Sequence, residues 1–482
     1  MCGIGFRGGM GRTLGRTQRT FTSISDTANE VEEEEEEDAA SAMRGAHVRL
    51  GKGRTRERGG IRCIESSNGS MGRRGELTDA RGARVHRQVA ELWTRNQGCE
   101  ADETLPYAEF WMGAHVGAPS HVEGTSQTSL KDWIEAHPES MGEEVPIKLQ
   151  GWRRALPFLF KVLSVGTALS IQAHPDASLA VQLRKRRPEA YPDDKPKPEM
   201  AVALRDFEAL CGFRDAKSVA ETARNVPELE QVIGGPHATQ ALGTGEEKAL
   251  RDAFRHLMNC EPQRAQEAAK LLVDRLRREM EFRTLCPEEE WALELAKQYP
   301  GDVGIFCVFV LNLLRLKPGE AVALGANEPH AYLKGDIVEI MAASDNVVRA
   351  GLTPKFRDTQ VLCDMLTYKQ GTPEVMQGEE TENGVVVYRP PFPEFELHRI
   401  SLEKAGSKTV RADKGPSIFL VYEGTCDFHA DKPALADANL HLDVEGAKGT
   451  VVFLPAHTQI QLTARARDAV VYQAKCNEKH QE

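Results

Sequence analysis

Apolar positions change period twice along the chain, and those changes divide it. From Val85 to Trp93 the spacing is helical, and a loop then leads to Pro106. Residues 107–116, with Phe110 and Trp111, suggest a buried strand or turn. Leu163–Ile171 is rich in β-branched and small residues, as strands are. The dense prolines of Pro188–Pro198 predict an extended, ordered connection, after which Glu199–Leu210 resumes an apolar pattern. Between about 215 and 300 the period becomes helical. Leu250, Phe254, Leu257 and Met258 share one stripe, and Ala265, Ala269, Leu272, Leu276 and Met280 another. Pro262 suits a helix start, and Trp291 with Leu295 marks a further short helix. These stripes predict a helical insertion whose apolar side is core.

Short strand signals return from Val303. Ile305–Leu314 is a nearly continuous apolar run, and Lys317-Pro318-Gly319-Glu320 makes a turn before Ala321–Leu324. Gly335-Asp336 and Asp345-Asn346 punctuate Ile337–Ala343 and Val347–Ala350 as successive strands. The theme repeats at Val385–Tyr388, Phe395–Ile400, Ser417–Tyr422, Gly449–Leu454 and Ala469–Ala474. Many short strands joined by Gly/Pro turns favour sandwiches or jelly rolls. The expected fold is mainly β, with two β-rich domains and an α-helical insertion.

Composition narrows the function classes. A chain of 482 residues is long for one core and suggests two or three domains. No apolar run approaches the roughly 20 residues of a membrane-spanning helix. A net charge of -11 gives no support to whole-surface nucleic-acid binding, so an anionic ligand would need a locally basic pocket. The 10 cysteines are scattered without a ligand cluster, which fits a reducing cytosol. Residues 1–84 differ: an Arg/Ser/Thr-rich start weakly like an organellar targeting segment, the acidic run Glu32–Glu37, then an Arg/Gly-rich stretch. Such segments bury too little apolar surface to fold, so 1–84 reads as a disordered leader. Met1-Cys2-Gly3-Ile4 resembles the start of class II glutamine amidotransferases, but no apolar strand follows, and that reading is rejected.

The chemistry centres on Gln172-Ala173-His174. Residues two apart on a strand share a face, so Gln172 and His174 can bind one metal, with Glu199 and His330 completing a nitrogen/oxygen set. Spacing alone reads equally well as a packed strand. The wording of the segments adds to it. Ser170-Ile-Gln-Ala-His-Pro-Asp176, Tyr191-Pro-Asp-Asp-Lys-Pro-Lys-Pro-Glu-Met200, the run Asn327–Lys355 and Pro106-Tyr-Ala-Glu-Phe-Trp-Met-Gly-Ala-His115 resemble type I phosphomannose isomerases, in order, from about residue 85 onward.

That resemblance implies a zinc cupin enzyme interconverting mannose 6-phosphate and fructose 6-phosphate through a cis-enediol, and supplying GDP-mannose synthesis. It implies one Zn2+ on Gln172, His174, Glu199 and His330. Glu339 and Lys197 would do acid/base work, and Arg349 would hold developing enediolate charge. Ser170, Lys161 and Lys355 would contact the phosphate. Tyr332 and Trp111 read either as walls of the sugar site or, as strand aromatics more often are, as core packing. Which side chain moves the proton stays open at this point. The implied domains are a zinc cupin at 85–214 and 301–370, the helical insertion at 215–300 and a metal-free cupin at 371–482. The partner would be a small sugar phosphate, without nucleic acid or membrane, and the chain is read as a cytoplasmic monomer. The family's opening Tyr-x-Trp-Gly strand has no clear counterpart before Val85. Two other classes compete: a cupin acting on another phosphorylated aldose or using a redox metal, and a carbohydrate-binding or storage cupin without the full site.

Overall fold

A computed structural model describes residues 43–45, 47–49, 87–100, 107–123, 128–142, 149, 152, 155–430 and 442–477. The readings made for Met1–Ile4 and Glu32–Glu37 lie outside them. Within the stretch read as a leader, β1 (Met43–Gly45) is a short strand at the edge of one sheet, and β2 (His47–Arg49) is a short strand paired on both sides in another. Strand pairing uses backbone groups, which composition does not report. Helix α1 (Arg87–Gln97) comes next, then β3 (Glu109–Met112), β4 (His121–Val122) and α2 (Leu130–Ala136). The site-bearing strands follow: β5 (Phe158–Val165), β6 (Ile171–Ala173), β7 (Glu199–Ala203) and β8 (Phe207–Phe213), with α3 (Ala177–Arg186) after β6.

The predicted helical stretch opens with α4 (Ala216–Asn225), α5 (Pro227–Val232) and α6 (Pro236–Leu242). It continues with α7 (Glu247–Met258), α8 (Pro262–Glu279) and α9 (Pro287–Gln298). Pro262 stands at the N-terminus of α8, as its fixed φ and missing N–H allow. The two stripes are buried in one cluster, except Met280, which follows the end of α8 and is 56% exposed. The apolar run from Ile305 is not one strand. Val303–Phe309 is a fully buried 3-10 helix, and only then does β9 (Leu311–Leu316) begin. An unbroken apolar run does not distinguish a buried strand from a buried helix. Here Asp302 decides it, accepting from Gly304 N at 2.6 Å and Leu352 N at 2.9 Å and so holding the helical start.

β10 (Ala321–Leu324), β11 (His330–Ala342), β12 (Val348–Gly351), α10 (Thr359–Met365) and β13 (Val375–Met376) complete the first β unit. Its main sheet runs β1–β3–β5–β11–β7–β10–β13. β11 also builds the opposite wall, where it pairs with β6 and β8, while β6 pairs with β12 and β8 with β9. Gly335 was expected to break a strand. Instead it bends one: its φ is 116°, and a Cβ there would lie 2.5 Å from Asp206 O. Only glycine lets β11 turn from one wall to the other without a clash.

The second β unit holds β14 (Glu379–Glu382), β15 (Val385–Tyr388), β16 (Glu396–Leu402), β17 (Ser407–Val410) and β18 (Ser417–Glu423). It also holds β19 (Thr425–Ala430), β20 (Leu442–Ala447), β21 (Val451–Leu454), β22 (Ile460–Ala464) and β23 (Ala469–Lys475). One sheet is ordered β14–β15–β16–β23–β18–β21–β2–β4 and the other β17–β22–β19–β20. Alternation sends one face of β5, β7 and β11 outward. Phe160, Val162, Val202, Val338 and Ile340 of that face share one cluster with Phe395, Leu397, Ile418, Leu420 and Tyr472. Each such buried side chain is worth roughly 1.5–3 kcal/mol. The opposite face looks into the first barrel and carries the site.

Candidate active site

Two cross-strand rows line the barrel. Directly paired residues on antiparallel strands share a face. On the main sheet, Trp111 of β3 is opposite Lys161 of β5, Lys161 is opposite Glu339 of β11, and Glu339 is opposite Ala201 of β7. Glu199, two residues before Ala201, faces the same way. On the other wall, Arg349 of β12 is opposite Gln172 of β6, Gln172 is opposite His330 of β11, and His330 is opposite Cys211 of β8. The sequence thus sets Arg349, Gln172 and His330 in one line across three strands.

The rows meet at Glu199. Its Oε1 is 3.3 Å from His174 Nε2, and its Oε2 is 3.3 Å from His330 Nε2. Gln172 completes the group, its amide 3.5 Å from His330 Nε2. The nitrogen end faces the imidazole, and a flip of the amide exchanges it for the oxygen without changing the shape. Both imidazoles have their tautomer set from behind. His174 Nδ1 donates to Asn346 O at 2.7 Å, and His330 Nδ1 to Glu328 O at 3.2 Å. Each Nε2 lone pair therefore points at the carboxylate.

This donor set fits a cation. His174, Glu199 and His330 offer ligand atoms all within 4.8 Å of one another, and all three residues are buried. Buried polar atoms normally find partners, yet His174 Nε2 and Glu199 Oε2 make no hydrogen bond. A metal ion would satisfy both. Two imidazoles and one carboxylate with no thiolate match a hard or borderline divalent ion and leave a coordination position open, as in catalytic rather than structural sites. Sequence motifs named these residues, and the structure brings them together.

Electrostatics distinguish the two carboxylates. Burial alone would raise Glu199, but Lys197 and the two histidines outweigh it and hold Glu199 well below the usual carboxylate range. Lys197 Nζ is 3.1 Å from Glu199 Oε1. Glu339 goes the other way. Burial raises its pKa, the Lys161 ammonium opposes that, and the negative Glu199 and Glu109 add to it. Burial also pushes His174 down to about 4 against the pull of Glu199, which keeps its imidazole neutral at physiological pH.

The remaining candidates occupy distinct positions. Lys161 is buried, with Nζ 3.0 Å from Glu339 and 3.5 Å from Glu109, and 4.6 Å above the Trp111 ring. Burial favours loss of its proton, but the carboxylates Glu339, Glu109 and Glu199 win and raise its pKa. Its charge is therefore engaged by carboxylates. The Arg349 guanidinium makes no hydrogen bond or ion pair among the described residues. The tempting partner Asp345 is taken by His115 at 3.0 Å. Burial lowers the Arg349 pKa, yet a guanidinium stays charged at any physiological pH. Ser170 Oγ donates to Gln172 Oε1 at 3.3 Å, beside the metal ligands. Lys355 is half-buried in the loop after β12, its backbone N–H bonded to Thr353 Oγ1 at 3.1 Å. Tyr332 is buried and lies edge-on to Phe207 in the barrel, with its ring 6.2 Å from that of His330.

Glu109 went unread in the sequence. It accepts from Trp111 Nε1 at 2.6 Å and shares Lys161 with Glu339. Its place two residues before Trp111 on a short strand was the available signal.

Residues 81–216 match the family described as phosphomannose isomerase type I, catalytic domain, and 221–311 its helical insertion domain. Mannose-6-phosphate isomerase 2 of Arabidopsis thaliana is 43% identical over 401 residues, 80% of this chain and 88% of that protein. Mannose-6-phosphate isomerase of Homo sapiens is 39% identical over 392 residues, 78% of this chain and 90% of the relative. The crystal structure of apo mannose 6-phosphate isomerase from Salmonella typhimurium superposes with a TM-score of 0.66 at 26% identity, covering 80% of this chain and 94% of that one. Extended identity to these relatives, a shared fold and a buried His/Glu/His cluster lead to one conclusion: the chain is an isomerase belonging to the type I phosphomannose isomerase family.

Proposed function

We propose that this chain interconverts D-mannose 6-phosphate and D-fructose 6-phosphate through a cis-enediol, with one zinc ion on Gln172, His174, Glu199 and His330. The observation that carries this reading is the pairing of a metal-competent cluster with a raised carboxylate, Glu339, and an unpaired guanidinium, Arg349. A bound zinc would supply a Lewis-acidic centre that polarises hydroxyl and carbonyl oxygens.

The chain's own residues do the rest. The Glu339 carboxylate takes the proton from C2 of the open aldose and returns it to C1, because its raised pKa makes it the better base. Lys197 is committed to Glu199. Lys161 holds Glu339 and Glu109 in place and sets the basicity of Glu339. Arg349, fixed in line with Gln172, holds the oxyanion that develops as the proton leaves. Ser170 and Lys355 supply donors for the phosphate. A cytoplasmic location and a role in supplying GDP-mannose synthesis belong to the same proposal.

Proton transfer through an enediol leaves a label. In D2O the enzyme should place deuterium at C1 of fructose 6-phosphate and C2 of mannose 6-phosphate, read by NMR. A Glu339→Gln variant should lose the exchange while keeping its metal. Isomerisation by that variant at the normal rate would remove Glu339 from the role. Faster turnover of a different phosphorylated aldose would favour the competing substrate class.

A further inference from the structure

We propose that Asp193 is a positioning residue for the metal centre, acting on His174 through the main-chain carbonyl of Asn346. The inference rests on the metal reading above and concerns residues outside the ligand set. His174 takes its orientation from one hydrogen bond, Nδ1–H to Asn346 O at 2.7 Å. That carbonyl lies in the turn 343–347 between β11 and β12, so the turn must be immobile if the imidazole is to be.

Asp193 makes it so. Its Oδ1 accepts from Ser344 Oγ at 2.8 Å, Lys195 N at 2.9 Å and Asn346 Nδ2 at 3.0 Å, and its Oδ2 accepts from Asp345 N at 2.8 Å. The Asn346 amide also donates to Asp193 O and Lys195 O, both at 2.9 Å. Ser344 and Asn346 are fully buried. One carboxylate thus gathers donors from three consecutive residues of the turn and from its own loop. That loop runs on through Lys197 to Glu199, and the turn runs on to Arg349. Asp193 therefore ties the segment carrying one ligand and its lysine to the segment that orients another ligand and carries the arginine.

The acceptor-only character of a carboxylate is what the site uses. An Asn side chain has nearly the same shape but offers one oxygen and two N–H donors. It would set a donor against the Asp345 N–H or against the cluster of Ser344, Lys195 and Asn346 donors. Partners behind a metal-bound histidine typically carry 10–100-fold in metal affinity.

Zinc affinity measured by chelator competition on the full-length protein tests this. Asp193→Asn should bind zinc about 10–100-fold more weakly than the parent, with an altered visible spectrum when cobalt replaces zinc. Asp215→Ala serves as a stability control. It removes the cap at the start of α4, which accepts from Lys217 N at 2.9 Å, and should lower the melting temperature without changing zinc affinity. If Asp193→Asn does not fold, Asn346→Ala removes the amide tying the turn to the Asp193 loop and should weaken zinc binding in the same way. Parental zinc affinity in the folded variant would overturn the proposal, as would weakening matched by an equally destabilised Asp215→Ala. A parent chain that binds no zinc would instead overturn the metal reading itself.

Discussion

At the residue scale, the site is written in short motifs, and that made it legible. Gln172 lies on β6 and His174 directly follows its end, while Glu199 and His330 begin β7 and β11. The support behind them was not legible. Nothing in local spacing says that Asn346 offers a carbonyl to His174 or that Glu109 shares Lys161, because both contacts cross between distant segments. Arg349→Lys keeps the charge but misplaces the planar donors, so turnover should fall about 10²–10³-fold with zinc content unchanged. Steady-state kinetics beside elemental analysis check this; loss of zinc instead would make Arg349 structural. His174 carries a pH signature. With a folded pKa of about 4 and an unfolded value near 6.5, the unfolded chain binds the proton more readily. The stability from this residue is present above about pH 6.5 and is lost as pH falls towards 4, amounting to roughly 3 kcal/mol. Urea unfolding of metal-free protein at pH 7 and pH 4.5 should show that loss, and His174→Gln should flatten it.

At the element scale, strong periodicity was readable and short, half-exposed strands were not. The helical stripes of α7 and α8 and the turn before β10 were plain in the sequence. The four strands β17, β22, β19 and β20, which form one whole sheet, went unread. β19 and β22 interleave exposed or half-exposed positions with buried ones, and β17 has none buried, so no continuous apolar run marks them. Gly335 shows the opposite error, where a turn residue marks a bend inside a strand. Gly335→Ala forces a side chain into a left-handed φ of 116° and into contact with Asp206 and Phe207. It should cost on the order of 1–3 kcal/mol in denaturant unfolding, with greater loss of activity than of secondary structure, since β11 carries both His330 and Glu339. An unchanged unfolding midpoint would show that β11 does not need the bend.

At the scale of the whole molecule, the two β units share an apolar core, so the chemistry in one depends on packing against the other. The leader enters the same argument. A chain starting at Ala40 keeps β1 and β2. One starting at Val85 loses three register pairs to β3 and two each to β21 and β4. It should melt earlier yet keep kcat/KM while folded, as none of the site residues lies before Val85. Folded but inactive truncated protein would place part of the chemistry in the leader. The most direct test of the central claim is a coupled assay of mannose 6-phosphate conversion by the purified chain, before chelation, after it, and after zinc is restored. The structure-based expectation is activity that disappears with the metal and returns with zinc, and that His174→Ala/His330→Ala cannot recover. Undiminished conversion by metal-free protein, or none by zinc-loaded protein, would contradict it.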